Sequence, residues 1–288
     1  MALVCLVINT IGKTVRWRVL MGEAGTKTSL KKILMVNIVG QMLNLFFPAR
    51  TGDLARAYLM GNSNIERTYL LGTVILEKFF EVLAYGLLFL ILVFVIPIPV
   101  WALDSVYVFL FFSLIFAVVL LLIAKKHREI IVYLQRIFSW LDERFPKLAQ
   151  IDIVKHLHTG LESIQIINNQ RVLVKTFLWT FVIWGMALLT NHLVLLAFRI
   201  KLPLTASLLL LVLLQIGITL PSIPSRIGLF EYICILSLAV FGISQPLALS
   251  YGFLLHGVLM IPVAVFGVIF SFVLGLPSRK TKSLDVSE

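Results

Sequence analysis

The sequence predicts an all-α, polytopic integral membrane protein with two short broken or re-entrant helical elements arranged as an inverted repeat. Three observations lead there. Of 288 residues, 60% are apolar and only 14% are Asp, Glu, Lys or Arg, and the mean hydropathy is +1.01, whereas soluble domains carry about 25% charged residues. Several apolar runs reach the roughly 17–25 residues that span a bilayer. Finally, helix breakers and charges coincide twice, in FFPARTGDLARAY (46–58) and PSIPSRIG (221–228).

The net charge of +11 comes from 25 Lys and Arg against 14 Asp and Glu. Because these basic residues lie in short loops between apolar runs, they read as orientation signals and contacts to anionic headgroups, not as a nucleic-acid surface. Cys5 and Cys234 lie in apolar stretches without metal-ligand spacing, and no disulfide is expected. Residues 1–11 have no basic region before them and no small-residue cleavage site after them, so they read as part of a retained helix.

The first run, residues 2–20, is a marginal span ending in Lys13, Arg16, Trp17 and Arg18. Basic residues beside a tryptophan mark a cytoplasmic interface, which places the N-terminus outside. Thr28 and Ser29 are candidate caps for the next helix. Its apolar stretch, 33–47, stops at Pro48 and is too short for a comfortable span, so it pairs with a returning half at 49–60. A long span at 68–96 follows, interrupted by Glu77, Lys78 and Glu81.

Residues 97–104 contain no Lys or Arg and belong outside; 105–124 crosses back to Lys125, Lys126 and Arg128. From 125 to 171 the chain is a cytoplasmic amphipathic connector, with Ile130, Leu134, Ile137 and Leu141 at helical spacing. Residues 172–198 cross outward, and Arg199 and Lys201 then fall on the outer side, against the positive-inside trend. A short run at 204–220 breaks at 221–228 and returns at 229–241. The last long span, 247–274, leads to a basic, cytoplasmic tail with Arg279, Lys280 and Lys282.

Pro48-Ala49-Arg50-Thr51-Gly52 and Pro224-Ser225-Arg226-Ile227-Gly228 share the form P-small-R-x-G. Each follows a short apolar run and precedes another short run and then a long span. The whole chain therefore reads as one membrane domain, with repeat units at 28–96 and 204–275 that enter the bilayer from opposite sides. Secondary transporters commonly place substrate sites where such broken helices meet.

Irregular backbone within hydrocarbon requires protein or a watery cavity to satisfy its amides and carbonyls. Pro48, Gly52, Pro221, Pro224 and Gly228 thus point to a lined cavity, and the amides at a half-helix start favour an anion. Arg50 and Arg226 add planar donor forks suited to phosphate oxygens. Asp53 and Arg56, three apart, are spaced to pair across one turn, and with Arg50 they serve either the substrate or only a fold-holding ion network at a cytoplasmic interface. Glu77 and Glu81 share a face and should turn toward the bundle, as coupling carboxylates or as static salt bridges together with Lys78.

Glu231 opens the second returning helix, where the dipole alone accounts for a carboxylate. Asn37, Gln41 and Asn44 form a polar stripe, either cavity lining or helix-to-helix glue. Gln215 and His256 are weaker candidates. His127, His156 and His158 have no convincing partner set, no metal cluster or cofactor motif appears, and catalytic residues and cofactors are not expected.

The run NxxxPARxGDxxRAYL from Asn44 to Leu59, the LEK of Leu76 to Lys78 and P-x-x-x-G-x-x-E from Pro224 to Glu231 resemble the lysylphosphatidylglycerol synthase transmembrane region family, also called flippase-like domain proteins. The resemblance covers nearly the whole chain. It implies a multipass protein with two re-entrant elements that moves a lipid between leaflets. The soluble synthase domain of the best-understood relatives is not expected here. The family pattern marks Asn44, Pro48, Arg50, Gly52, Asp53, Arg56, Glu77, Pro224, Gly228 and Glu231. This chain departs from it at Asp53, where the family usually has Glu, at Lys78, where it usually has Arg, and at Ser225 and Arg226, where it usually has two glycines.

The leading expectation is a flippase-like transporter of an anionic phospholipid or polyprenyl-phosphate-linked lipid in a bacterial or archaeal cell membrane. The alternatives are a lipid-binding accessory protein for a glycosyltransferase or lipid synthase, and a membrane enzyme acting on a lipid phosphate.

Overall fold

The structure is a computed structural model, and it describes residues 1–47, 50–61, 65–95, 153–219 and 224–275, with isolated helical positions between 107 and 132. The helices are α1 (Ala2–Leu20), α2 (Gly22–Lys27), α3 (Leu30–Phe46), α4 (Thr51–Met60), α5 (Arg67–Val95), α6 (Ile153–Ile164), α7 (Gln170–Ala197), α8 (Leu204–Thr219), α9 (Leu229–Ala239) and α10 (Gln245–Val273). Short 3-10 turns occupy Gln165–Asn168 and Pro224–Arg226.

Local chemistry fixes several boundaries. Ser29 accepts a bond from the Lys32 amide at 3.4 Å and so caps α3, as the sequence suggested. Asn169, not singled out from sequence, does the same for α7 through the Arg171 amide at 3.0 Å. Proline in the first turn of α10 costs no helical bond, because those amides have no intrahelical acceptor.

Three described helices, α5, α7 and α10, are long and apolar enough to cross a bilayer, and the chain is an all-α, multi-pass membrane protein. Their outer faces carry Phe94, Phe181, Ile261 and Phe272, all well exposed, as side chains turned to lipid should be. Lipid tails are as apolar as the core, so helix association here depends on close packing more than on removal of water. Glycines supply that closeness. A Cβ on Gly52 would collide with the Gly40 carbonyl, and one on Gly40 with the Arg56 side chain. Gly267 likewise admits Met42, which seats α10 on α3.

α3, α4 and α5 have 17, 10 and 29 residues; α8, α9 and α10 have 16, 11 and 29. α3 and α4 pack antiparallel, bringing Asn37 to Arg56 and Asn44 to Gly52. One buried cluster joins Trp17 of α1, Val36 of α3, Ala57 and Met60 of α4 and Leu70 of α5. Another joins Leu195 of α7, Leu210 of α8, Phe230 and Leu238 of α9 and Tyr251 of α10. Across the bundle, α3 lies on α10, α8 on α5, and α1 along α7.

Arg16 and Trp17, read from the sequence as marks of a cytoplasmic interface, both have 0% exposure and lie within the protein. Trp17 Nε1 donates to Thr73 Oγ1 at 3.1 Å, and Asn9 Nδ2 donates to the Ile183 carbonyl at 2.6 Å. These contacts hold α1 inside the bundle, because its polar residues find their partners on α5 and α7. Within the expected connector, α6 packs on α5 where Gly72 meets Gly160 and Ser163. Ile130, Leu134, Ile137 and Leu141 lie outside the described residues, as do Pro48, Pro221 and His127.

Candidate functional site

The two interruptions meet. Ser225 Oγ donates to the Leu45 carbonyl at 3.3 Å, tying the second break to the end of α3. Beside this contact lies a cavity of about 280 Å³, near the lower end of the ~300–1,000 Å³ typical of small-molecule sites. Every helix from α1 to α10 contributes to it except α2 and α6. Charged and amide side chains come chiefly from α1, α3, α4 and α5, while Leu211, Leu214, Phe230, Leu259 and Val263 supply an apolar wall.

Both breaks have left-handed backbone at residues other than glycine. Arg50 has φ 52°, Ser225 58° and Arg226 56°. Such conformations cost about 1–3 kcal/mol and persist where the surroundings over-determine them. At the first break, Asn44 Oδ1 accepts from the Gly52 amide at 2.8 Å while its Nδ2 donates to Asp53 Oδ1 at 3.2 Å. At the second, Glu231 Oε2 accepts from the Gly228 amide at 2.7 Å, where φ is 88°. Glu231 Oε1 also lies 2.5 Å from His256 Nδ1, and His256 Nε2 faces the Ser225 carbonyl at 3.0 Å. His256 stacks on Phe230 besides, with ring centroids 4.4 Å apart.

Along one side of the cavity runs a closed ring of alternating charge. Arg16 Nη2 lies 3.1 Å from Glu77 Oε1 and 2.9 Å from Glu81 Oε1. Lys78 Nζ lies 3.0 Å from Glu81 Oε2 and 3.2 Å from Asp53 Oδ2. Arg56 Nη2 closes the circuit, 3.2 Å from Asp53 Oδ1 and 2.9 Å from Glu77 Oε2. Three cations and three carboxylates, drawn from α1, α4 and α5, balance one another. Arg56 Nη1 also donates to Asn37 Oδ1 at 2.9 Å, and its guanidinium lies 4.9 Å from the Trp17 ring centre. Burial makes such a network costly to form and costlier to break, since each charge depends on its neighbours.

Lys13, Arg50 and Arg226 line the same cavity but stand outside that ring. Among the described residues, none of the three has an ion-pair partner. Gln41 also lines the cavity, and its buried Nε2 has no hydrogen-bond partner among the described residues. The lining therefore combines positive charge and amide donors with apolar side chains.

Of the residues singled out from sequence, Asn44, Arg50, Asp53, Arg56, Glu77, Lys78, Glu81 and Arg226 line the cavity, with Asn37, Gln41 and Gln215. Gly52 is packed on Gly40, while Gly228 and Glu231 stand behind the cavity and brace the second break. Pro224 begins the 3-10 turn that carries Arg226. His158 pairs with Glu162 at 3.1 Å on α6. Cys5 and Cys234 are free thiols.

Lys13 and Arg16 were missed as site residues. A usable signal existed, because Asn9, Lys13 and Arg16 repeat the four-then-three spacing of Asn37, Gln41 and Asn44 and so mark one helix face.

Neither the curated proteins nor the solved structures provide a significant match. The model of the Lysylphosphatidylglycerol synthase TM region family, however, matches residues 1–267, nearly the whole chain, and the protein belongs to that family.

Proposed function

We propose that this flippase-like protein moves an anionic, phosphate-bearing lipid, a phospholipid or a polyprenyl-phosphate-linked lipid, between the leaflets of a bacterial or archaeal cell membrane. The observation that carries the reading is the cavity at the meeting of the two breaks, lined by Arg50, Arg226 and Lys13 together with apolar side chains, the three cations having no carboxylate ion-pair partner among the described residues. A headgroup phosphate would accept from these donors while the acyl or prenyl chains remain in lipid.

In this reading α3–α4 and α8–α9 are re-entrant hairpins of an inverted repeat, entering from opposite faces, with the N-terminus outside and the C-terminus cytoplasmic. The matched order and lengths of the helices and their crosswise packing support it. The ring of Arg16, Asp53, Arg56, Glu77, Lys78 and Glu81 then holds α1, α4 and α5 in register, and Asn44, Gly52, Gly228 and Glu231 fix the breaks that present the arginines. Rocking of one half against the other would carry the site from one leaflet to the other.

The test is reconstitution into vesicles with headgroup-labelled anionic lipids and a membrane-impermeant quencher. The expected result is label movement above protein-free vesicles, lowered at least about tenfold by Arg50→Gln, the loss of one charge-assisted contact of ~1.5–3 kcal/mol. Movement at the protein-free rate across several anionic lipids would refute the proposal.

A further inference from the structure

We infer that Arg50 and Arg226 form a two-armed clamp selective for a doubly charged phosphate headgroup, a terminal phosphomonoester or a diphosphate, over a singly charged phosphodiester. The inference rests on the anionic-lipid reading above and narrows it to a class of headgroup.

The argument is one of charge count. Six ionised groups beside the cavity neutralise one another in the ring, so Arg16, Arg56 and Lys78 have no charge to spare. Of the cations left over, a lysine can shed its proton when desolvated, whereas an arginine stays charged in any protein environment. Among the described residues, Arg50 and Arg226 therefore leave a fixed surplus of two positive charges on one small cavity.

Both guanidiniums line that one space, so their like charges repel across it. Holding like charges together in a site of low polarity is unfavourable until an anion stands between them. A phosphodiester would neutralise one charge and leave the other. A monoester near neutral pH, with its second ionisation near 6, carries nearly two charges and three free oxygens, enough to accept from both forks at once.

Two further features fit this assignment. Each arginine sits on left-handed backbone at a helix interruption, one in each half of the chain. The Ser225–Leu45 bond joins those interruptions directly, so the two arms are positioned relative to one another. Gln41, whose buried Nε2 has no partner among the described residues, supplies a neutral donor to the same space.

The experiment is binding to the purified full chain in detergent, using dioleoyl phosphatidic acid and dioleoyl phosphatidylglycerol, which share their acyl chains and differ in phosphate ester. Inorganic phosphate serves as a competitor. The clamp requires phosphatidic acid to bind at least about tenfold tighter than phosphatidylglycerol, the worth of one additional charged contact. Arg226→Gln should reduce that preference to less than about threefold by weakening phosphatidic acid more than phosphatidylglycerol, and Arg226→Lys should retain part of it.

Equal affinity of the unaltered protein for the two lipids would overturn the clamp, whatever the variants do. So would equal loss of both lipids in Arg226→Gln. Displacement of phosphatidic acid by millimolar inorganic phosphate alone would assign the site to free phosphate and overturn the lipid source. Phosphatidylglycerol movement in vesicles without any preference for phosphatidic acid would leave the translocator reading standing and remove only the clamp.

Discussion

The guanidinium of Arg16 donates to the carboxylate of Glu77 at 3.1 Å across 61 positions of sequence, and both side chains are almost wholly buried. This contact makes α1 part of the interior and gives the ring its third cation. Arg16→Met would leave three carboxylates facing two cations, which should cost about 3–5 kcal/mol. Removing one negative charge as well, in Arg16→Met with Glu81→Gln, should recover part of the loss. Thermal unfolding in detergent checks this, and identical melting of the single and double variants would show that the ring is not coupled by charge.

Gly52 packs its Cα on the Gly40 carbonyl, and an added Cβ would also meet Asn44 Oδ1 at 2.8 Å. Because the obstacle is backbone, it cannot swing aside, and Gly52→Ala should force α3 and α4 apart at a cost of roughly 1–3 kcal/mol. Gly185 has nothing within 4 Å of such a Cβ, so Gly185→Ala should be neutral or slightly stabilising. Equal melting temperatures for the two variants would contradict the close approach.

His256 spans the second break, with one ring nitrogen at Glu231 and the other at the Ser225 carbonyl. His256→Ala removes both bonds and should speed amide exchange at residues 225–231 by about tenfold or more, in line with ~1–3 kcal/mol for a buried bond left unmade. Exchange at Gly52 should be unchanged, since Asn44 holds that amide independently. Unaltered exchange at 225–231 would mean that backbone bonds alone shape the turn.

Trp17 is fully buried and donates to Thr73. Trp17→Phe keeps most of its volume but loses that bond and weakens the contact with the Arg56 guanidinium. A loss of about 1–2 kcal/mol is expected. Thr73→Val leaves the indole nitrogen unsatisfied and should cost at least as much by the same unfolding measurement.

Much of the architecture is legible in the chain because it depends on one-dimensional signals. Pro48 with Gly52, and Pro224 with Gly228, interrupt apolar runs too short to span, and helices α3, α4, α8 and α9 end or begin at those places. The polar stripe of Asn37, Gln41 and Asn44 lies on one face because 3.6 residues make a turn, and all three reach the cavity. The partners of Arg16 and Trp17 were not legible for an equally physical reason: Glu77 and Thr73 lie 61 and 56 positions away on α5, and local sequence does not show which helix a polar side chain will meet.

By itself the sequence determined that this protein lives in a membrane, where its helices break, and that charge gathers at the breaks, since hydropathy, proline and glycine act locally. Which of those charges are paired among the described residues was decided only by the tertiary structure. Arg16, Arg50, Arg56 and Arg226 are the same residue type, and what separates them is whether folding brings a carboxylate from another helix within about 3 Å. That is a property of three-dimensional distance, and no spacing along the chain encodes it.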